Sequence, residues 1–316
     1  QLQALKMSLY SFVSLLGLLC ASSATLATSA DSGPSQVLLL GAHHSATSIA
    51  ARALNLLGLY LGEQEDLLLD VSNPLKFWER RDVLNIDVQR LRQGSTVTGP
   101  DALPSFVGYG FDSMSTPPLP NASVAKQAVI SQLNAHRPWA TKDPRLSLLA
   151  SEWLPLMDAD AICVLTVRHP LAFADSMMRF SPSVGMYRWV GVWLRYMSSA
   201  LYACSSQPLV LVQHSQLVRQ PQQALKSLHV RLTTLGVNLP SLDAKLHEKL
   251  PLRPPPPDAH YLPAELAAAG PTALELYDTL SAAIIDRISD RAPLPLSVAR
   301  GAVTPWPPLG TRRGRS

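Results

Sequence analysis

Cysteine is scarce in this chain. Cys20, Cys163 and Cys204 are the whole complement, too few and too scattered for a disulfide framework. Cys163 falls inside an apolar run and reads as a buried strand residue. There is no Cys-x-x-Cys, His-Glu-x-x-His or Gly-x-Ser-x-Gly pattern, so metal sites and hydrolase triads are not expected. A strong charge of one sign is also missing. The net charge is +4 over 316 residues, so no nucleic-acid partner is expected, and a basic pocket for a polyanionic ligand accounts for the excess. No internal repeat is present. With 47% hydrophobic residues the chain can bury a core as one large domain or two small ones.

What is present begins with Val37 to Leu54. The apolar run Val37–Leu40 reads as a buried parallel strand. Gly41 ends it, small and polar residues follow, and a helical pattern starts near Ser48. A strand, tight loop and helix N-terminus form an anion site, because free N–H groups and the helix dipole converge there. A nucleotide triphosphatase loop needs Gly, four residues, then Gly-Lys-Ser/Thr. Counting from Gly41 puts Ala46, Thr47 and Ser48 at those last positions: the hydroxyl is there and the lysine is not. Cleavage of ATP or GTP is therefore poorly supported. A hydroxyl-rich loop with His43 and His44 at its middle suits a phosphosulfate, which needs donors more than magnesium.

The rest alternates strands and helices, predicting a three-layer α/β/α fold with a central parallel sheet. A helix from Ser48 ends at Gly58, a glycine C-cap. Residues 94–121, rich in Gly, Pro and Ser, read as a long loop near the site. Trp139-Ala140-Thr141 is a short strand leading into Lys142-Asp143-Pro144-Arg145, with Asp143 as helix cap and Pro144 as first helical residue. Lys142 sits at a strand end, where open α/β sheets place ligands; a solvated loop lysine is the competing reading. Ala161–Val167 is the clearest strand and ends in Arg168-His169-Pro170. Arg168 and Ser176, on the helix that Pro170 opens, can hold one anion between them, unless Arg168 pairs with Asp175. Trp189, Trp193 and Tyr196 recur at helical spacing and read as core. A helix is expected over 263–288, interrupted at Gly270-Pro271, and the basic tail 291–316 should be disordered.

At the other end, a basic flank, an apolar stretch from Lys6 to Cys20 and small residues up to Ala30 resemble a signal peptide or short signal anchor. Residues 1–30 are therefore set apart from a single domain over 36–290. Secretion or a Golgi lumen is the expected location, with membrane anchoring through this segment as one form of it; cytoplasm and plastid are the alternatives. Asn121-Ala122-Ser123 is a glycosylation sequon that fits a secretory route.

Taken together, the loop Gly41-Ala42-His43-His44-Ser45-Ala46-Thr47-Ser48, the Lys142-Asp143-Pro144-Arg145 stretch, and Arg168-His169-Pro170 with Ser176 resemble a sulfotransferase that uses 3′-phosphoadenosine 5′-phosphosulfate (PAPS). The segment Asn73 to Glu79 also looks like the family's stretch after its first helix. The resemblance implies a P-loop-like sheet and transfer of a sulfonyl group to a hydroxyl or amine of a glycan, peptide or small alcohol. It implies that Gly41, His43, His44, Ser45, Ala46, Thr47 and Ser48 line the 5′-phosphosulfate, and that Arg168 and Ser176 hold the 3′-phosphate. It further implies catalytic roles for Lys142 at the phosphosulfate and Glu79 as general base, although a surface salt bridge from Glu79 to Arg80 or Arg81 competes. Two departures stand out: His44 replaces the family's Arg or Lys, and Ala46 its Gly. His44 is expected to act as donor or acid at the bridging oxygen, and Ala46 to weaken the loop if it must adopt positive φ. A P-loop kinase and a catalytically silent nucleotide-binding relative are the alternatives.

Overall fold

The computed structural model describes residues 33–68, 78–94, 121–182, 184–250 and 271–286. The expected leader, the tail, most of the 94–121 loop, positions 73–77 of the Asn73–Glu79 stretch, and positions 263–270 and 287–288 of the helix expected over 263–288 lie outside them. Four parallel strands, β1 (Gln36–Leu40), β2 (Trp139–Lys142), β3 (Ile162–Val167) and β4 (Leu209–Gln213), pair in the order β2-β1-β3-β4. Leu39 lies opposite Lys142, Leu40 opposite Leu165, and Val167 opposite Gln213.

Alternation along each strand divides the core. Leu38, Leu40, Cys163, Leu165, Val167 and Leu211 face one side. Val37, Leu39, Ile162, Val164, Val210 and Val212 face the other. The first side is covered by α2 (Arg81–Gly94), α3 (Ala122–Asn134), α4 (Leu146–Trp153), α5 (Pro170–Phe180), α6 (Met186–Ala203) and α9 (Pro271–Asp286). The second side is covered by α1 (Thr47–Leu56), α7 (His214–Arg219) and α8 (Pro221–Thr234). This is the three-layer α/β/α arrangement the alternation predicted, with strands apolar on both faces because helices cover both. Trp189, Trp193 and Tyr196 are buried core residues of α6, as their spacing indicated. The short α7, absent from the sequence reading, follows β4 directly.

The cysteines require a correction. Cys163 in β3 and Cys204 at the end of α6 are joined by a disulfide, with Cα atoms 6.2 Å apart. Their sequence separation of 41 hid the pair; what brings them together is α6 packing across the sheet, and no spacing rule encodes that. The bond ties α6 to the strand whose tip carries Arg168. No helix among the described residues is long and apolar enough to cross a membrane.

Connections leave β1 toward β2 on one side and β3 toward β4 on the other. The crevice at the carboxyl ends of β1 and β3 is thus the point where the winding reverses, the usual ligand position in such sheets. Gly41, Lys142 and Arg168 all stand at this one edge.

Candidate functional site

The loop after β1 is held open by a glycine. Gly41 has φ of 146°, and a Cβ there would come within 1.9 Å of the Thr166 hydroxyl and 2.9 Å of the Thr47 methyl. Its N–H donates to Ser147 Oγ (2.8 Å), which donates back to the Gly41 carbonyl (3.2 Å). The loop then passes through His44 (φ 57°) and Ala46 (φ 63°) into α1. Ala46 does take the left-handed conformation in question for it, as the residue that caps α1, without a side chain to cap with. The N–H groups of the first helical turn have no intrahelical partners. Beneath them Ser45 is fully buried, and its hydroxyl has no hydrogen-bond partner. A buried orphan hydroxyl in a loop of this shape is what an anion would satisfy.

On the β2 side, Lys142 and Glu79 form a buried ion pair. Nζ lies 2.5 Å from Glu79 Oε1 and 3.3 Å from Ser48 Oγ, and both residues are almost inaccessible. The competing surface bridge for Glu79 is not made: Arg80 pairs with Asp66 and Asp82, and Arg81 donates to the Leu67 carbonyl. Burial raises the Glu79 pKa above the ordinary carboxylate range; Lys142 pulls it back, Asp143 adds to the rise and Arg145 opposes it. Neighbouring Trp78 has φ of 59° and stacks under Arg52, whose guanidinium carbon is 5.3 Å from the ring centre.

Behind the pair lies a buried group of charged and aromatic side chains. Asp143 accepts from the Arg145 backbone N–H (2.8 Å) and from its guanidinium (2.9 Å). Asp143 thus makes the cap-like bond expected of it, but regular helix begins later, at Leu146. Asp87 accepts from Trp153 Nε1 at 2.9 Å. Burial, reinforced by Asp143, holds the Asp87 pKa well above the carboxylate range. His43 packs edge-on against Tyr196, ring centres 5.9 Å apart. Burial first, then Arg145, His44 and Lys142, keep His43 neutral. The Lys-Asp-Pro-Arg run advertised Arg145 in sequence; Asp87 and Tyr196 carried no signal.

On the β3 side, His44 Nδ1 lies 2.9 Å from Ser176 Oγ, and Arg168 Nη1 donates to the His44 carbonyl. The His44 ring packs edge-on against Phe180. Asp175 pairs with Arg179, one turn along the same helix, rather than with Arg168. Partial desolvation lowers the His44 pKa, and Arg168 and Arg179 lower it further, to about 4. The residue as a whole keeps solvent exposure, which moderates the first of these causes without changing the direction. The shift describes the free protein, in which a neutral imidazole is favoured. The His44 ring turns to Ser176 and Phe180, both on α5. His214, at the start of α7, is likewise lowered to about 4 by burial, Arg168 and Arg219.

All the sequence-selected residues thus collect at one edge of the sheet, in two groups joined by the loop. Lys142, Glu79 and Ser48 make one; Arg168, Ser176 and His44 make the other. No protein-family model and no curated protein matches the chain. Among solved structures, it is similar to a sulfotransferase domain of the Synechococcus PCC 7002 olefin synthase, with 16% identity and a TM-score of 0.37 over 88% of this chain and 98% of that one. It is also similar to a sulfotransferase domain from the curacin biosynthetic pathway, with 16% identity and a TM-score of 0.38 over 85% and 96%.

Proposed function

We propose that this chain is a sulfotransferase that moves a sulfonyl group from PAPS to an acceptor hydroxyl or amine, on a glycan or protein. The observation that carries the reading is the meeting of Lys142 Nζ, Glu79 and Ser48 at the β1 loop, with Arg168 and Ser176 across the same crevice. Backbone strain points the same way. Among the described residues, the non-glycine positions with positive φ are His44, Ala46 and Trp78, all in or beside these groups. Each costs about 1–3 kcal/mol, and such strain gathers at functional sites.

The residues fit the donor. The orphan Ser45 hydroxyl, Thr47, Ser48 and the helix N-terminus would hold the 5′-phosphosulfate, and Arg168 with Ser176 the 3′-phosphate. When bound, PAPS supplies an activated sulfonyl group and a phosphate leaving group. Lys142 would turn from Glu79 toward the phosphosulfate oxygens on the Ser48 side, stabilising charge there. Glu79 would then lose the cation that depresses its pKa and become the stronger base for the acceptor's proton. The ion pair seen here is the resting form of both groups. His44, bonded to Ser176 and neutral in the free protein, would take up a proton beside the 3′-phosphate and donate to it.

A secretory lumen is the location this reading favours, and the Cys163–Cys204 bond supports it, since disulfides persist in oxidising compartments. Calorimetry with 3′,5′-adenosine bisphosphate against magnesium ATP, followed by labelled sulfate transfer to glycans, peptides and phenols, tests the function. Tight binding of the bisphosphate with transfer supports it. Binding without transfer to any acceptor identifies a silent relative, and preference for ATP with turnover identifies a kinase.

A further inference from the structure

Asn121 opens α3, and the sequon it begins is completed by Ser123 inside the first turn. Its side-chain oxygen Oδ1 accepts from the backbone N–H groups of Ser123 (3.0 Å) and Val124 (3.2 Å). Among the described residues, its Nδ2 has no partner. Asn121, Ser123 and Val124 are all exposed, while the buried side of α3 is Lys126, Val129, Ile130 and Leu133. The two ends of the amide are therefore divided: the oxygen holds the helix and the nitrogen faces outward unused.

That division matters chemically. An N-linked glycan is attached at the nitrogen, and the product is still an amide whose oxygen accepts hydrogen bonds. The cap and the modification are compatible on one side chain. Val124, an apolar side chain left 59% exposed, lies beside the attachment point, where a sugar would cover it.

We propose that Asn121 carries an N-linked glycan, added in the same oxidising lumen that forms the Cys163–Cys204 bond. In the step, Asn121 Nδ2 attacks the anomeric carbon of an oligosaccharide carried on a lipid diphosphate. A C–N bond forms, the C–O bond to the diphosphate breaks, Nδ2 gives up one proton, and the lipid diphosphate leaves. The donor belongs to the host's secretory membrane. Neither the sulfotransferase reading nor any residue of the crevice enters this inference, so each stands or falls alone.

The full chain is expressed in a eukaryotic cell, and its gel mobility is compared before and after an amide-cleaving glycosidase. That enzyme also converts the Asn121 amide to an acid, which peptide mass spectrometry reads. The expected result is loss of one glycan's mass from the wild type and from Ser123→Thr, with no change in Ser123→Ala. Asn121→Gln would lose the glycan and the helix cap together. Ser123→Ala keeps the Ser123 backbone donor and so keeps the cap, which separates loss of the sugar from misfolding. A lumenal, disulfide-bonded wild type without glycan overturns the proposal and leaves the location intact. A cytosolic chain with free thiols overturns both, and a glycan that persists in Ser123→Ala assigns the sugar elsewhere and also overturns it.

Discussion

The two sides of the crevice hold their charges in different ways. Toward β2, Lys142 and Glu79 are sealed from water and satisfied by each other. Toward β3, Arg168 and His44 are at least partly open to solvent, and their bonds run to a backbone carbonyl and a hydroxyl. A buried ion pair gains little net stability, but breaking it is costly because the survivor is left charged in a poor solvent. A guanidinium that keeps some contact with solvent loses less when a partner goes. The first side is therefore built so that fold and chemistry depend on the same atoms, and the second so that binding can change while the fold stays.

The largest effect should follow from Lys142→Met. Glu79 is left buried without its cation, which should cost about 3–5 kcal/mol by urea unfolding near neutral pH and lower sulfate transfer by roughly 10²–10³-fold. The stability loss should shrink as pH falls, since Glu79 already binds its proton more readily than an exposed carboxylate. Lys142→Met combined with Glu79→Gln should be more stable than Lys142→Met alone, although equally inactive. If the single and double variants unfold alike, the two residues are not coupled as the structure has them.

The opposite side should separate the two properties. Arg168→Ala removes a charge-assisted contact, worth about 1.5–3 kcal/mol, so the affinity for 3′,5′-adenosine bisphosphate should fall by roughly 10- to 150-fold. Ser176→Ala should weaken it less. Urea midpoints of both should stay close to wild type, because neither side chain is core. An Arg168→Ala protein that binds bisphosphate normally would move the 3′-phosphate out of this crevice.

Much of this architecture was legible in the sequence. Val37–Leu40 and Ile162–Val167 are apolar without alternation because both faces are covered, and Gly41 and Pro170 mark where those strands give way to loop and helix. Arg168 and Ser176 could be joined on paper because one strand end and one helical stretch separate them. What could not be read depends on contacts between distant segments. Glu79 reaches Lys142 across 63 positions from a segment whose local pattern reads as surface connection. The Cys163–Cys204 bond depends on how α6 crosses the sheet. The contact of the His44 ring with Ser176 spans 132 positions and joins the β1 loop to α5, which no local pattern encodes.

That ring gives the comparison its pH dependence. Free His44 is held at a pKa of about 4 by partial desolvation, Arg168 and Arg179, below the unperturbed value of about 6.5. A bound 3′-phosphate would offset the two guanidiniums and let the imidazole take up a proton. Binding should then consume a proton between about pH 4 and 6.5, so affinity rises as pH falls through that window. Calorimetry in buffers of different ionisation enthalpy measures the uptake directly. Glu79 has a raised pKa and titrates in wild type and variant alike, so the difference between wild type and His44→Gln isolates the histidine. Equal profiles would remove His44 from the phosphate side.

The smallest change tests the loop that joins the two groups. Ala46 at φ 63° carries a side chain where the left-handed conformation costs an L-residue about 1–2 kcal/mol. Ala46→Gly removes that strain but frees the unfolded chain, a penalty of about 0.4–1 kcal/mol. The balance should be a gain of about 0.5 kcal/mol in urea unfolding. Bisphosphate affinity should change by no more than a few-fold, because Ala46 already holds the left-handed conformation that a glycine would take. A large gain in affinity would instead mean that the alanine holds the loop away from its binding shape, and that the chain has traded donor affinity for something else at this position.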